Sequence, residues 1–301
     1  MAADEPIQGN LFVAGGEDGL RAVSKDGVMW SHIQTDREGV LADHIAFLKG
    51  LCLVVARFGG ENLAFTTRDA VTWQRVKIEG TPYTRVALLY TAKDEFQLTE
   101  GEGDKATATH SSDGVQWRPE QPLFPGQKIF DRGGSMRRVA IGADGRLVVV
   151  GDYGSRLTRL PSDPQWSAVS KPLPKDTLID IAYGNGVFVG GGMHGLCMRS
   201  VDGLTWTDRT VGEEGEHINA MIWDGKQFVG IGQGATYFSA DGQSWRREPN
   251  ENAPTLATHG GGAFVGSLWP GRVMRSTDGI HWTQVHQFDQ HVLSLAYGQL
   301  G

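Results

Sequence analysis

Seven tryptophans, Trp30, Trp73, Trp117, Trp166, Trp206, Trp245 and Trp282, recur 37 to 49 residues apart along a chain of 301 residues. Five of them close the pattern Ser-x-Asp-Gly-x-x-Trp: Ser24 to Trp30, Ser111 to Trp117, Ser200 to Trp206, Ser239 to Trp245 and Ser276 to Trp282. Two copies are degraded. Thr67-Arg68-Asp69-Ala70-Val71-Thr72-Trp73 lacks the glycine, and Pro161-Ser162-Asp163-Pro164-Gln165-Trp166 has lost its register before the tryptophan. A period of this length is that of a four-stranded propeller blade, so seven copies predict seven blades.

Each period carries a second signal, a short apolar run, a turn and a stronger apolar run. The stronger runs are Leu11-Phe12-Val13, Cys52-Leu53-Val54, Phe96-Gln97-Leu98, Leu147-Val148-Val149, Val187-Phe188-Val189, Phe228-Val229 and Phe264-Val265. The turns Asp144-Gly145, Asn185-Gly186 and Asp224-Gly225 fall between the first and second strands of a blade, and the Asp-Gly of the tryptophan motif falls between the third and fourth. The 42 glycines, about twice the usual ~7%, belong to these repeated hairpins. No stretch keeps a helical period, so almost no helix is expected. The chain opens on a second strand at Leu11 and closes on a first-strand sequence, His291 to Tyr297, so both ends are expected in one blade, sealing the ring. The expected fold is all-β, one seven-bladed β-propeller domain over 1–301 with a tail at 1–10.

The motif resembles the repeat of the Asp-box, or BNR-type, propellers, a group that includes sialidases and photosystem II assembly-factor-like proteins. The resemblance runs from about residue 11 to 297, with a shortened box in which Asp and Gly adjoin. A box repeated in every blade reads as structural: the carboxylate takes backbone hydrogen bonds, the glycine permits positive φ, and the indole covers the next blade. A sialidase in the strict sense is not expected, because no Arg-Ile-Pro element occurs.

Charge and composition exclude other classes. A net charge of −7 argues against a general nucleic-acid binder, and no run of ~18 apolar residues marks a membrane span. The chain reads as soluble and monomeric. The opening Ala2-Ala3-Asp4-Glu5-Pro6 reads like the stretch after a cleaved signal, the expectation being a periplasmic or secreted protein. Cys52 and Cys197 lie in apolar strands and read as buried thiols.

Propeller ligands meet the ring at the mouth built by the connections into the first strands and those between the second and third. Aligned on the small residue of each first strand, blades two to five place His44, Arg85, Arg138 and Asp180 at one level, and the others Ala220, Leu256 and Ser294. Arg85 and Arg138 suit a carboxylate, sulfate or phosphate, while His44 and Asp180 suit proton transfer. The competing reading is that Arg85 and Asp180 pair with loop charges. Arg57, Tyr153, His194, His217, Trp269 and His291 are further binding candidates around the mouth. No metal is expected: His44, His217, His259 and His291 fall at registers that spread them over about 20 Å. No cofactor is expected either. The insertion from Pro119 to Ser135, with Phe124, Phe130, Asp131 and Arg132, is expected as a loop overhanging the mouth. Two functions fit best: a non-catalytic platform for a protein or an anionic small molecule or glycan, or an enzyme, a glycan hydrolase or lyase or one acting on a small anion; a His-ligated metalloenzyme fits less well.

Overall fold

A computed structural model describes residues 5–79, 86–101, 103–119, 121–130, 135–169 and 173–301. It holds seven four-stranded antiparallel sheets. From the innermost strand outward, blade 1 is Val292–Leu300, Gly9–Gly16, Arg21–Ser24 and Ser31–Gln34. Blades 2 to 7 begin with Leu41–Leu48, Val86–Ala92, Met136–Ile141, Leu178–Gly184, Ile218–Trp223 and Leu256–Gly260, and each adds its strands in chain order. Each innermost strand touches the innermost strands of its two neighbours, and that of blade 7 returns to that of blade 1. Among the described residues the only helical pieces are three single 3-10 turns.

The ring is sealed as the chain order requires. Val292–Leu300 pairs along the whole of Gly9–Gly16, from Gly9 opposite Leu300 to Gly16 opposite Val292. That second strand starts at Gly9 rather than Leu11, and Ile7 before it donates its N–H to the Asp69 carbonyl of blade 2 at 2.9 Å. Cys52 and Cys197 are buried, and burial raises both thiols well above their ordinary range.

The Ser and Asp of the tryptophan motif build the same hydrogen-bonded turn wherever it is intact, and the indole adds a bond to it at Trp117, Trp206 and Trp282 but not at Trp30 or Trp245. In blade 5, Asp202 Oδ1 accepts from Leu204 and Thr205 N–H at 2.8 and 2.7 Å, and Ser200 Oγ accepts from Gly203 N–H at 2.8 Å. Trp206 Nε1 then donates to the Gly203 carbonyl at 2.9 Å. Blade 2 keeps this geometry without the glycine, and Ala70 takes φ +62 where Gly203 takes +77.

The turn glycine also docks the blades. It lies against a cross-strand pair of the preceding blade, so close that a Cβ on Gly203 would stand 2.7 Å from Val148 Cγ2 and 3.0 Å from Thr158. Gly27, Gly114, Gly242 and Gly279 sit in the same way against Val265, Leu53 with Thr66, Val189 with Arg199, and Val229. The five contacts wedge successive sheets together with no side chain between.

Blade 4 departs from this plan. The residue that pairs like the motif serine is Arg159, opposite Leu147, where Ser24, Thr67, Ser111, Ser200, Ser239 and Ser276 occupy the other blades. Its outermost strand is only Ser167–Ala168. The insertion supplies the missing packing, so its described part is not a lid. Leu123, Phe124 and Phe130 are buried with Trp166, Phe124 lying edge-on to Phe130 and Trp166. Gln127 bonds both backbone groups of Trp166, and Asp104 Oδ1 accepts the N–H of Ile129 and Phe130. Apolar side chains here have more to gain by filling the gap between blades than by overhanging water. Asp131 and Arg132 lie outside the described residues.

Candidate functional site

In six of the seven innermost strands, pairing with the second strand skips one residue: Asp43, Ala87, Arg137, Ile179, Asn219 and Leu293. Only blade 7 runs in unbroken register. A bulge defeats strict alternation, so two consecutive residues can serve the same face. Asp43 with His44, Arg137 with Arg138, and Leu293 with Ser294 accordingly line one cavity of about 210 Å³ at the ring centre. His44, Arg138 and Asp180 meet there, opposite a bland wall of Ala220, Leu256 and Ser294.

The bulges also change the expected level in blade 3. His44, Arg138 and Asp180 each pair with the second-strand residue just beyond the bulge, and in blade 3 that position is Leu88, opposite Thr99. Arg85 itself lies outside the described residues. The residue beside Arg138 in the cavity is Arg137, on the same strand.

The carboxylates are tied into the scaffold. Asp43, which alternation hid, interacts through Oδ1 with His44 Nδ1 at 2.8 Å and accepts through Oδ2 from Arg57 Nε at 2.7 Å. Burial opposes its charge, but the bonds and charges of His44 and Arg57 prevail and hold the carboxyl below the usual range. Asp180 accepts from Ile181 N–H at 2.9 Å and, across the blade boundary, from Met221 N–H at 2.8 Å. Burial raises its carboxyl above the ordinary value despite Arg138 and the two N–H donors. Ser294 Oγ bridges in the same way to the Ala42 carbonyl at 3.0 Å.

The guanidiniums differ. Arg137 is committed to Asp152 at 2.6 Å, whereas Arg138 approaches Asp180 only to 3.8 Å and keeps 57% of its side chain exposed. One of its nitrogens donates to the Arg137 carbonyl at 2.9 Å. Arg138 is thus the cation of this cavity that stands furthest into solvent.

The remaining candidates do not line the cavity. Arg57 joins it only through Asp43. Tyr153 and His194 occupy the left-handed positions of two matching turns, at φ +54 and +56. Tyr153 N–H donates to Thr177 Oγ1 at 3.2 Å, and its ring is exposed. His194 and His217 stand edge to face with centroids 5.0 Å apart, and His217 Nδ1 accepts the N–H of His194 at 3.1 Å. Beside them Glu216 takes a fork from Arg247 and the hydroxyl of Tyr237. Trp269 is exposed, and its carbonyl accepts two bonds from Arg272. His291 latches blades 7 and 1: its Nδ1 accepts the Gly271 N–H at 3.4 Å, its carbonyl accepts the Glu17 N–H at 2.9 Å, and its own N–H donates to Glu17 Oε2 at 3.3 Å. His259 lies against the Phe264 ring, with centroids 4.6 Å apart. Among the described residues no three His, Cys, Asp or Glu side chains come together as metal ligands, and no helix is long and apolar enough to cross a membrane.

These features define the class as a seven-bladed β-propeller with a polar central cavity. No protein-family model and no curated protein matches the chain. Solved structures do. YCF48 bound to D1 peptide is 14% identical with a TM-score of 0.62, over 96% of this chain and 94% of that one. The periplasmic gluconolactonase PpgL of Pseudomonas aeruginosa is 11% identical at 0.65, over 97% and 99%. Virginiamycin B lyase from Staphylococcus aureus is 11% identical at 0.58, over 86% and 91%. At such identities the likeness is one of fold, shared by binding proteins and enzymes.

Proposed function

We propose that this chain is a binding platform whose mouth recognises an acidic group on a protein or peptide segment. The observation that carries this is the unequal commitment of the mouth charges. Asp43 and Asp180 spend both oxygens on the scaffold, Arg137 is paired, and Arg138, held only by one bond to the Arg137 carbonyl and a 3.8 Å approach to Asp180, is the most exposed guanidinium among the described residues of the cavity. A planar fork suits a carboxylate. The fold neighbour bound to D1 peptide supports a peptide as the partner.

The test is isothermal titration with a panel of peptides ending in a free carboxylate, each paired with its C-terminal amide. The expected result is carboxylate-dependent binding that weakens about tenfold to a hundredfold in Arg138→Ala, the loss of one charged hydrogen-bonding partner. Equal binding by the variant overturns the proposal.

One contact favours a second reading, an enzyme acting on a small anion. Asp43 fixes the ring of His44, leaving Nε2 as a base at the cavity. His44→Asn then abolishes turnover of any substrate found while sparing its binding, whereas a platform loses neither.

A further inference from the structure

A second cavity, larger than the one at the ring centre, lies elsewhere. It measures about 470 Å³ and lies between blades 3 and 4, at the end of the ring that carries the tryptophan-motif turns. It has the size of small-molecule sites, ~300–1,000 Å³. Its walls include Lys93, Gln97, His110, Arg159 and the segment from Pro161 to Pro164.

Two departures from the repeat coincide here. On blade 4 the motif turn is broken, so no glycine wedges against blade 3. On blade 3 the receiving cross-strand pair is Gln97 opposite His110, where the other blades carry Val13 with Val23, Leu53 with Thr66, Val148 with Thr158, Val189 with Arg199, Val229 with Phe238 and Val265 with Arg275. In those six blades the second-strand member of the pair is Val or Leu, so loss of the wedge alone would uncover an aliphatic side chain; here it uncovers Gln97, which a water-filled packing defect does not require.

The polar groups are also left wanting. Gln97 is 4% exposed, yet its Oε1 has no hydrogen-bond partner, nor does the shielded Nδ1 of half-buried His110. Buried polar atoms without partners are rare in folded proteins and ask for an explanation. At the opening, Arg159 lies over the Trp166 ring at 4.7 Å, and neither it nor Lys93 has an ion pair among the described residues. Arg118 is neutralised by Glu95.

We propose that this cleft is a second binding site, for a small hydroxylated organic anion of the sugar-acid or sugar-phosphate class. The anionic group meets Arg159 and Lys93 at the rim, and a hydroxyl donates to Gln97 Oε1 on the floor beside His110. The site is independent of the mouth and of Arg138.

Titration calorimetry with glucuronate and glucose 6-phosphate tests it, with glucose and inorganic phosphate as the arms that lack the charge or the hydroxyls. At least one of the two hydroxylated anions binds at or below about 10 mM, and each control binds at least about tenfold more weakly. Two variants return the cleft to the repeat. Arg159→Ser restores the motif hydroxyl, and Gln97→Val with His110→Thr installs the pair found at Val148 and Thr158. Both remain folded by circular dichroism and lose binding about tenfold or more, while Arg138→Ala binds as the parent does. Absence of binding by both anions, equal binding by the two restored variants, or inorganic phosphate binding as tightly as glucose 6-phosphate overturns the proposal.

Discussion

Replacing Gly203 with alanine separates the two duties of the motif glycine. Its φ of +77 is a left-handed conformation that costs an alanine about 1 kcal/mol relative to glycine. The new Cβ also lands 2.7 Å from Val148 Cγ2 and 3.0 Å from Thr158, two buried β-branched side chains that cannot swing away. Overpacking of this kind costs ~1–3 kcal/mol, so the total is about 2–4 kcal/mol. Gly186 supplies the internal control, because it has the same φ of +77 with nothing within 4 Å of a built Cβ. Gly186→Ala should therefore cost only about 1 kcal/mol. Urea unfolding followed by tryptophan fluorescence reads both. Val148→Ala removes the clashing methyl at about 2 kcal/mol on its own, but in the Gly203→Ala background it should cost less, a coupling of ~1–2 kcal/mol. Additive costs within ~0.5 kcal/mol, or equal losses for Gly186→Ala and Gly203→Ala, would refute the wedge as a docking device.

Two further outcomes bear on the frame around the mouth. The hydrogen bonds from Arg247, with those of Tyr237 and the Glu213 N–H, hold the Glu216 carboxyl down to about 2, against an ordinary 4.5. A depressed carboxyl stabilises the fold above its unfolded pKa and loses that contribution as pH falls toward the folded one, here between about 4.5 and 2. Because Arg247 is partly in water, Glu216→Gln should cost about 1–2 kcal/mol at pH 7 and flatten the acid limb of a thermal-melt series; an unchanged acid limb contradicts this. Removing residues 292–301 strips blade 1 of its innermost strand and uncovers Leu11 and Val13, so the truncated chain should lose its cooperative melt and regain it with a synthetic peptide of those residues. A truncated chain that melts like the parent contradicts closure by that strand.

The ring was legible because its cause is periodic. Six motif turns repeat one local hydrogen-bonding unit, and all seven apolar runs fall in the second strand of their blades. The lining of the cavity was less so, since an alternating strand hides an inserted residue. Alignment on Ala87 placed Arg85 beside His44, whereas the skipped residue brings Leu88 there. Asp43 was missed for the same reason, although the adjacent polar pairs Asp43-His44 and Arg137-Arg138 in otherwise apolar strands were the available signal. The insertion misled by its length, while its Leu123, Phe124 and Phe130 already spoke for burial. The cleft beside Gln97 and His110 depended on a contact between blades, which no single repeat contains.

The strand that seals the ring, Val292–Leu300, follows every other blade strand in the chain, yet its partner Gly9–Gly16 is the first of the blade strands to be made. While all the other blades are being made, then, a long apolar strand waits with one edge unpaired, which is the geometry that invites pairing with another chain. Folding cannot be completed blade by blade from the N-terminus, because the first sheet is the last to be finished. The same arrangement that leaves the mature ring without a loose end makes its nascent form the stage most exposed to misassembly and most in need of protection.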